Sequence, residues 1–187
     1  MKDNKRSFPK TNKLLLSDIP LDAEGLSEFK NNPSLLIDTG YEFVELGDYE
    51  QALKYFSMGA SIDNRDPDIL NGLGIALCEL NKLEESKRIL ERAVRLGPED
   101  PVTLANLAGV YWEIGDLDMA IYYYSRSIKF NNEIEEIFLN LINLYIETDS
   151  LFMAYITCLE CLENFPGDPE ATELLDDILL NLAISFF

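Results

Sequence analysis

The sequence predicts an all-α protein assembled from helix–turn–helix repeats, and three observations carry that expectation. Pro33, Pro67, Pro101 and Glu135 each open a segment, and successive openers stand 34 residues apart. Within each segment apolar residues return at helical rather than strand spacing. Gly47-Asp48, Asn81-Lys82, Gly115-Asp116 and Asp149-Ser150 interrupt the segments near their middles, where a helix must stop and reverse.

The inward positions follow the same beat. A large apolar residue comes first (Leu36, Leu70, Leu104, Phe138), and a second follows one heptad later (Phe43, Leu77, Tyr111, Tyr145). Then come a small residue (Ala52, Ser86, Ala120, Ala154) and an apolar one (Phe56, Leu90, Tyr124, Cys158). First helices are predicted over about 34–46, 68–80, 102–114 and 136–148, and second helices over about 49–62, 83–96, 117–130 and 151–164. A ninth helix should follow Pro169 and cap the last repeat, its outward face carrying Asp176 and Asp177. Four units result (33–66, 67–100, 101–134 and 135–168), with residues 1–32 before them and the cap over 169–187. In the first segment, the basic stretch Lys2 to Lys13 is expected to be disordered or extended, and Asp22 to cap a short helix from Ala23 to Phe29.

The register resembles that of the tetratricopeptide repeat. Leu73-Gly74 and Leu107-Ala108 match the family's Leu-Gly step, as does Gly40, although Thr39 stands where Leu is usual. Second helices carry small residues where helices approach closely: Ala52 and Gly59, Ser86 and Ala93, Ala120 and Ser127, Ala154 and Cys161. Pro98 and Pro166 close two repeats; Asn64 and Asn132 close the others. The fourth unit departs most, with bulky Ile142 in a small slot. The resemblance implies a right-handed α-α superhelix and a role in binding other proteins.

Charge and composition narrow the function. Lys and Arg number 15 against 34 Asp and Glu, a net charge of −19, so a nucleic-acid backbone or an anionic membrane surface is disfavoured as a partner. After Lys129 no base remains, while twelve acids do. No apolar run is long enough to span a membrane, and Leu14-Leu15-Leu16 is too short for a secretory signal. A cytoplasmic protein is expected, and three cysteines at apolar helix positions agree with a reducing compartment.

The chain has no histidine, which removes the commonest general base and zinc ligand. Gly72-Leu73-Gly74 lies inside a predicted helix and reads as close packing rather than a phosphate loop. Cys158 and Cys161 form a Cys-x-x-Cys, but mid-helix, away from the dipole that activates a redox thiol. No catalytic set, metal site or cofactor site is expected.

In the resembled family the first helices line a concave face along which peptides lie. That register implies a groove of Tyr41 and Glu45, Asn71 and Glu79, Asn106, Trp112 and Glu113, and Asn140, Asn143 and Glu147. Ile37, Asp38, Val44, Ile75, Cys78, Ala105, Gly109, Leu139 and Ile146 should share that face, with Tyr111 turned into the core. The Asn amides both donate and accept, which suits an extended backbone, and Trp112 suits either an apolar anchor or packing against the cap helix or the N-terminal segment. Co-chaperone members that clasp acidic peptide tails use Lys and Arg on first helices, and here those helices hold none. A basic or neutral ligand is therefore expected.

The leading expectation is a non-catalytic interaction scaffold. Alternatives are a cytosolic export-type chaperone for an aggregation-prone client, or a self-assembling scaffold pairing through the C-terminal helix, where Ile184-Ser-Phe-Phe187 adds aromatic residues. The basic N-terminal stretch is a further candidate occupant of the groove.

Overall fold

The chain is represented by a computed structural model that describes residues 33–185, where every regular element is a helix. Two compact units divide the described residues, 33–98 and 99–185. The first holds α1 (Pro33–Leu46), α2 (Tyr49–Ile62), α3 (Pro67–Glu79) and α4 (Leu83–Leu96). The second holds α5 (Pro101–Ile114), α6 (Leu117–Phe130), α7 (Glu135–Glu147), α8 (Leu151–Asn164) and α9 (Pro169–Ser185). Each boundary predicted for α1 to α8 holds to within a residue, and α9 begins at Pro169 itself. The expected N-terminal extension and its Ala23–Phe29 helix lie outside the described residues, as do Phe186 and Phe187.

The turn inside each hairpin is made in one way. Gly47, Asn81, Gly115 and Asp149 take φ of 74°, 59°, 88° and 53°. Gly, Asn and Asp tolerate that left-handed region best. The following amide then reaches back to close the helix end, as Asp48 N–H does to the Phe43 carbonyl (3.0 Å) and Ser150 N–H to the Tyr145 carbonyl (2.8 Å). Schellman closures of this kind satisfy carbonyls that a helix end leaves over. At the repeat openings, Asp66 accepts from the Asp68 and Ile69 amides, Asp100 from Thr103 N–H (2.7 Å) and Asp168 from Ala171 N–H (2.6 Å). A proline follows each of these aspartates, preset for the first helical turn.

Packing follows the predicted inward set. Leu36, Leu70, Leu104 and Phe138 are buried, as are the small residues Ala52, Ser86, Ala120 and Ala154 and the apolar Phe56, Leu90, Tyr124 and Cys158. In the first unit the Phe56 ring lies against Gly40 of α1 and Gly72 of α3, and a Cβ at Gly72 would overlap it. Gly74 likewise admits Leu90. The polar members of the small slots are satisfied: Ser86 Oγ donates to the Gly74 carbonyl (2.7 Å) and Ser127 Oγ to that of Pro101 (2.6 Å). Among the described residues no buried side-chain polar atom lacks a partner, which fits a native core.

Helix α9 seals the second unit through buried Ala171 and Ile178, and Cys158 Sγ donates to the Ala171 carbonyl (3.0 Å). Its outer side exposes Asp176 and Asp177 as expected, but also Leu179, Leu180 and Ile184. The cap is thus less polar than the sequence predicts.

Candidate functional site

The first-helix residues of each unit form a separate face. On α1 and α3, the Tyr41 hydroxyl donates to the Asp68 carbonyl (3.3 Å) and accepts from Asn71 Nδ2 (3.1 Å). The Tyr41 ring stands edge-on to Phe56 at 5.0 Å. Asn71 is only 5% exposed, so its amide ties α3 to α1. Glu45 and Glu79 are exposed, and Glu79 accepts a hydrogen bond from Tyr49. Burial, then the Glu79 charge, pushes the Tyr49 phenol above its ordinary range. Val44 and Ile75, expected on this face, are core residues instead, buried with Phe56 and Ile69. Cys78 and Ile37 are half-buried beside them.

On α5 and α7 the arrangement is more open. Trp112 is half-buried, and its Nε1–H donates to Glu147 Oε2 at 2.7 Å. Its indole stands edge-on to Tyr124, with centroids 6.4 Å apart. A carboxylate acceptor makes this hydrogen bond stronger than a neutral one and fixes the ring. Asn106, Asn140 and Asn143 are half-buried, while Glu113 and Glu147 are exposed. Gly109, expected at the surface here, is buried; Tyr111 is buried against Tyr123 as expected, the rings stacked at 5.5 Å. An aromatic surface flanked by carboxylates can attract a cationic side chain while covering its apolar stem.

The cysteine pair is built for packing. Cys158 and Cys161 are both fully buried in α8, and burial, then nearby Asp168, drives both thiols up, Cys161 to about 12. A thiolate nucleophile is disfavoured there. Among the described residues no cluster of Cys, Asp or Glu is arranged to hold a metal ion, and no helix is long and apolar enough to cross a membrane.

Sequence reasoning passed over one surface. Phe152, Met153, Ile156 and Leu159 of α8 are exposed, at 67%, 45%, 43% and 37%. The signal was present in the register, because the positions one, two and three periods before Ile156 are Tyr122, Arg88 and Lys54.

Helical hairpins recurring every 34 residues, joined by left-handed turns and packed through small residues, define a helix-hairpin repeat protein. Residues 43–108 and 102–134 each match a tetratricopeptide repeat profile, and the chain belongs to that family. No curated protein sequence matches it. Solved structures with the same fold include YrrB, described as a TPR protein with an unusual peptide-binding site, at 18% identity and a TM-score of 0.68 over 87% of this chain and 84% of that one. TTC0263, a TPR protein of Thermus thermophilus, is 21% identical with a TM-score of 0.71, covering 84% of this chain and 86% of its own. Pseudomonas aeruginosa pilF is 17% identical with a TM-score of 0.74, covering 85% and 71%. The fold is that of a protein–protein interaction scaffold.

Proposed function

We propose that the chain is a non-catalytic scaffold that holds a basic or neutral segment of a partner protein against its first helices. The pairing of Trp112 with Glu147 carries this reading: a fixed indole beside exposed carboxylates offers an apolar plate with negative charge at its edge. Asn106, Asn140 and Asn143 would supply backbone hydrogen bonds on that face, and Glu113 would extend its charge. In the first unit Tyr41, Glu45 and Glu79 would contact ligand, with Asn71 holding Tyr41 in position. The reduced cysteines Cys78, Cys158 and Cys161 suit a cytoplasmic setting.

Affinity capture from native lysate tests the proposal, using the intact protein beside Trp112→Ala and Asn140→Ala. A partner lost with both variants, while their helical circular dichroism and melting temperature match the parent, supports it. Identical partners on all three proteins would overturn it.

A further inference from the structure

We propose that the outward side of α8, with the cleft it forms against α6 and α7, docks a basic amphipathic helix of a partner protein. The first observation is one of register. Three outward positions of α8 hold Phe152, Ile156 and Leu159, spaced to make one stripe along a helix. The same three positions hold Glu50, Lys54 and Ser57 on α2, Glu84, Arg88 and Glu91 on α4, and Asp118, Tyr122 and Ser125 on α6. The hairpin therefore has no structural need for apolar residues there. Three exposed apolar side chains in one stripe make a contiguous patch, unlike apolar residues scattered singly over a surface.

The second observation is a recess beside that stripe. An open cleft of about 500 Å³ has buried Ile128, Leu141 and Tyr145 at its base and exposed Phe130, Met153 and Ile156 at its rim. It is of a size to accept one or two large apolar side chains. Lys129 and Glu160 line it as well.

Charge selects the occupant. Residues 99–187 hold 17 Asp and Glu and two bases, Arg126 and Lys129, whereas residues 1–98 hold 17 acids and 13 bases. Glu160 and Glu163 follow the stripe on α8 and are exposed. The Arg126 guanidinium already sits over the Tyr122 and Phe130 rings, at 5.7 and 5.9 Å, so these aromatics accept a cation. A second copy would bring two strongly acidic units together, but a helix with Lys or Arg beside its apolar stripe meets opposite charge. The site uses none of the first-helix residues assigned above.

Two synthetic helical peptides of about 18 residues, five turns, test it against the full chain by isothermal titration calorimetry. One carries Leu at i, i+3, i+4 and i+7 with Lys elsewhere; the other replaces Lys by Glu. The Leu/Lys peptide should bind, and the Met153→Ser, Ile156→Ser double variant should weaken it about tenfold or more, as loss of an interface anchor does. Arg88→Ser, at the matching outward position of α4, should leave that affinity unchanged. Equal binding of both peptides, binding indifferent to the double variant, or binding abolished by Arg88→Ser would each overturn the proposal. So would concentration-dependent self-association of the parent in sedimentation that the double variant removes, since the occupant would then be a second copy.

Discussion

Helices α4 and α8 occupy the same slot in their respective units, and they differ where it is least expected. Inward, they agree: Ser86 corresponds to Ala154, Leu90 to Cys158 and Ala93 to Cys161, all buried. Outward, α4 is a lattice of charge, with Lys87 paired to Glu84 at 2.9 Å and Arg92 donating to the Asn64 carbonyl at 2.6 Å. On α8 the corresponding surface is apolar and ends in Glu160 and Glu163. Pairs such as Lys87–Glu84 are worth a few tenths of a kcal/mol, about 0.3–0.5. The charged outer surface of α4 therefore adds little to the stability of that unit. A hairpin constrains its inner positions and leaves its outer ones to be set by what the surface meets. Substitutions on the two kinds of position test that division.

The largest effect belongs to the inner slot. Phe56→Ala should destabilise the first unit by about 3–5 kcal/mol in urea denaturation, because the ring fills the space between Gly40 and Gly72. Cys158→Ala, in the same slot of the second unit, removes only one sulfur and should cost nearer 1 kcal/mol, with loss of its bond to Ala171 included. Equal costs would mean that the volume removed from the slot does not set the penalty. Next in size is a helix cap. Asp100→Ala should cost α5 about 1 kcal/mol, since the Thr103 amide loses its acceptor. Ile134, one period on, has no capping side chain, so Ile134→Ala should show no capping loss of that kind.

The fold was legible in the sequence because a strict period repeats each signal four times: the left-handed turn at Gly47 recurs at Asn81, Gly115 and Asp149. The site was less legible. A period says which positions are equivalent, but not which of two neighbours faces solvent. By residue type Asn71 suits a ligand-facing amide, yet it stands in register with Ile37, Ala105 and Leu139, and its polar group is engaged by Tyr41. Val44 and Ile75 fit the open face by spacing, yet close packing of α1 against α2 and α3 buries them. The stripe on α8 escapes a register read for inward positions, because those are the positions where residues agree. The outward positions are where they disagree.

A smaller effect concerns the opening of α7. Glu135 shares a hydrogen bond with Asp168, and that bond, with burial and the charges of Asp168 and Glu170, raises its carboxyl to about 7. The sign follows from proton linkage. A carboxyl raised in the folded state binds more protons there than in the unfolded chain, so its contribution to stability falls as pH rises from about 4.5 through 7. Glu135→Gln keeps a hydrogen-bond donor without the titration. Thermal melts from pH 4 upward should show the variant gaining on the parent across that window, by a modest amount because the group is largely hydrated. A gap between the two proteins that stays constant with pH would remove Glu135 as the cause.

The smallest effect is the most informative about the outer surface. Ile156→Ser should change the unfolding free energy by no more than about 0.5 kcal/mol, as expected for a surface substitution away from caps and core. Arg88→Ser, its counterpart on α4, should be similarly neutral. If both are neutral, neither surface is needed to keep the hairpins folded, and an apolar residue retained at Ile156 must answer to something outside the chain. A cost of about 2 kcal/mol or more at Ile156, roughly what a buried aliphatic side chain contributes, would instead make this residue part of the packing between α6 and α8. Its exposure would then no longer mark a docking surface. Urea titrations of the two single variants beside the parent distinguish these cases, because a core contribution moves the midpoint without changing the slope.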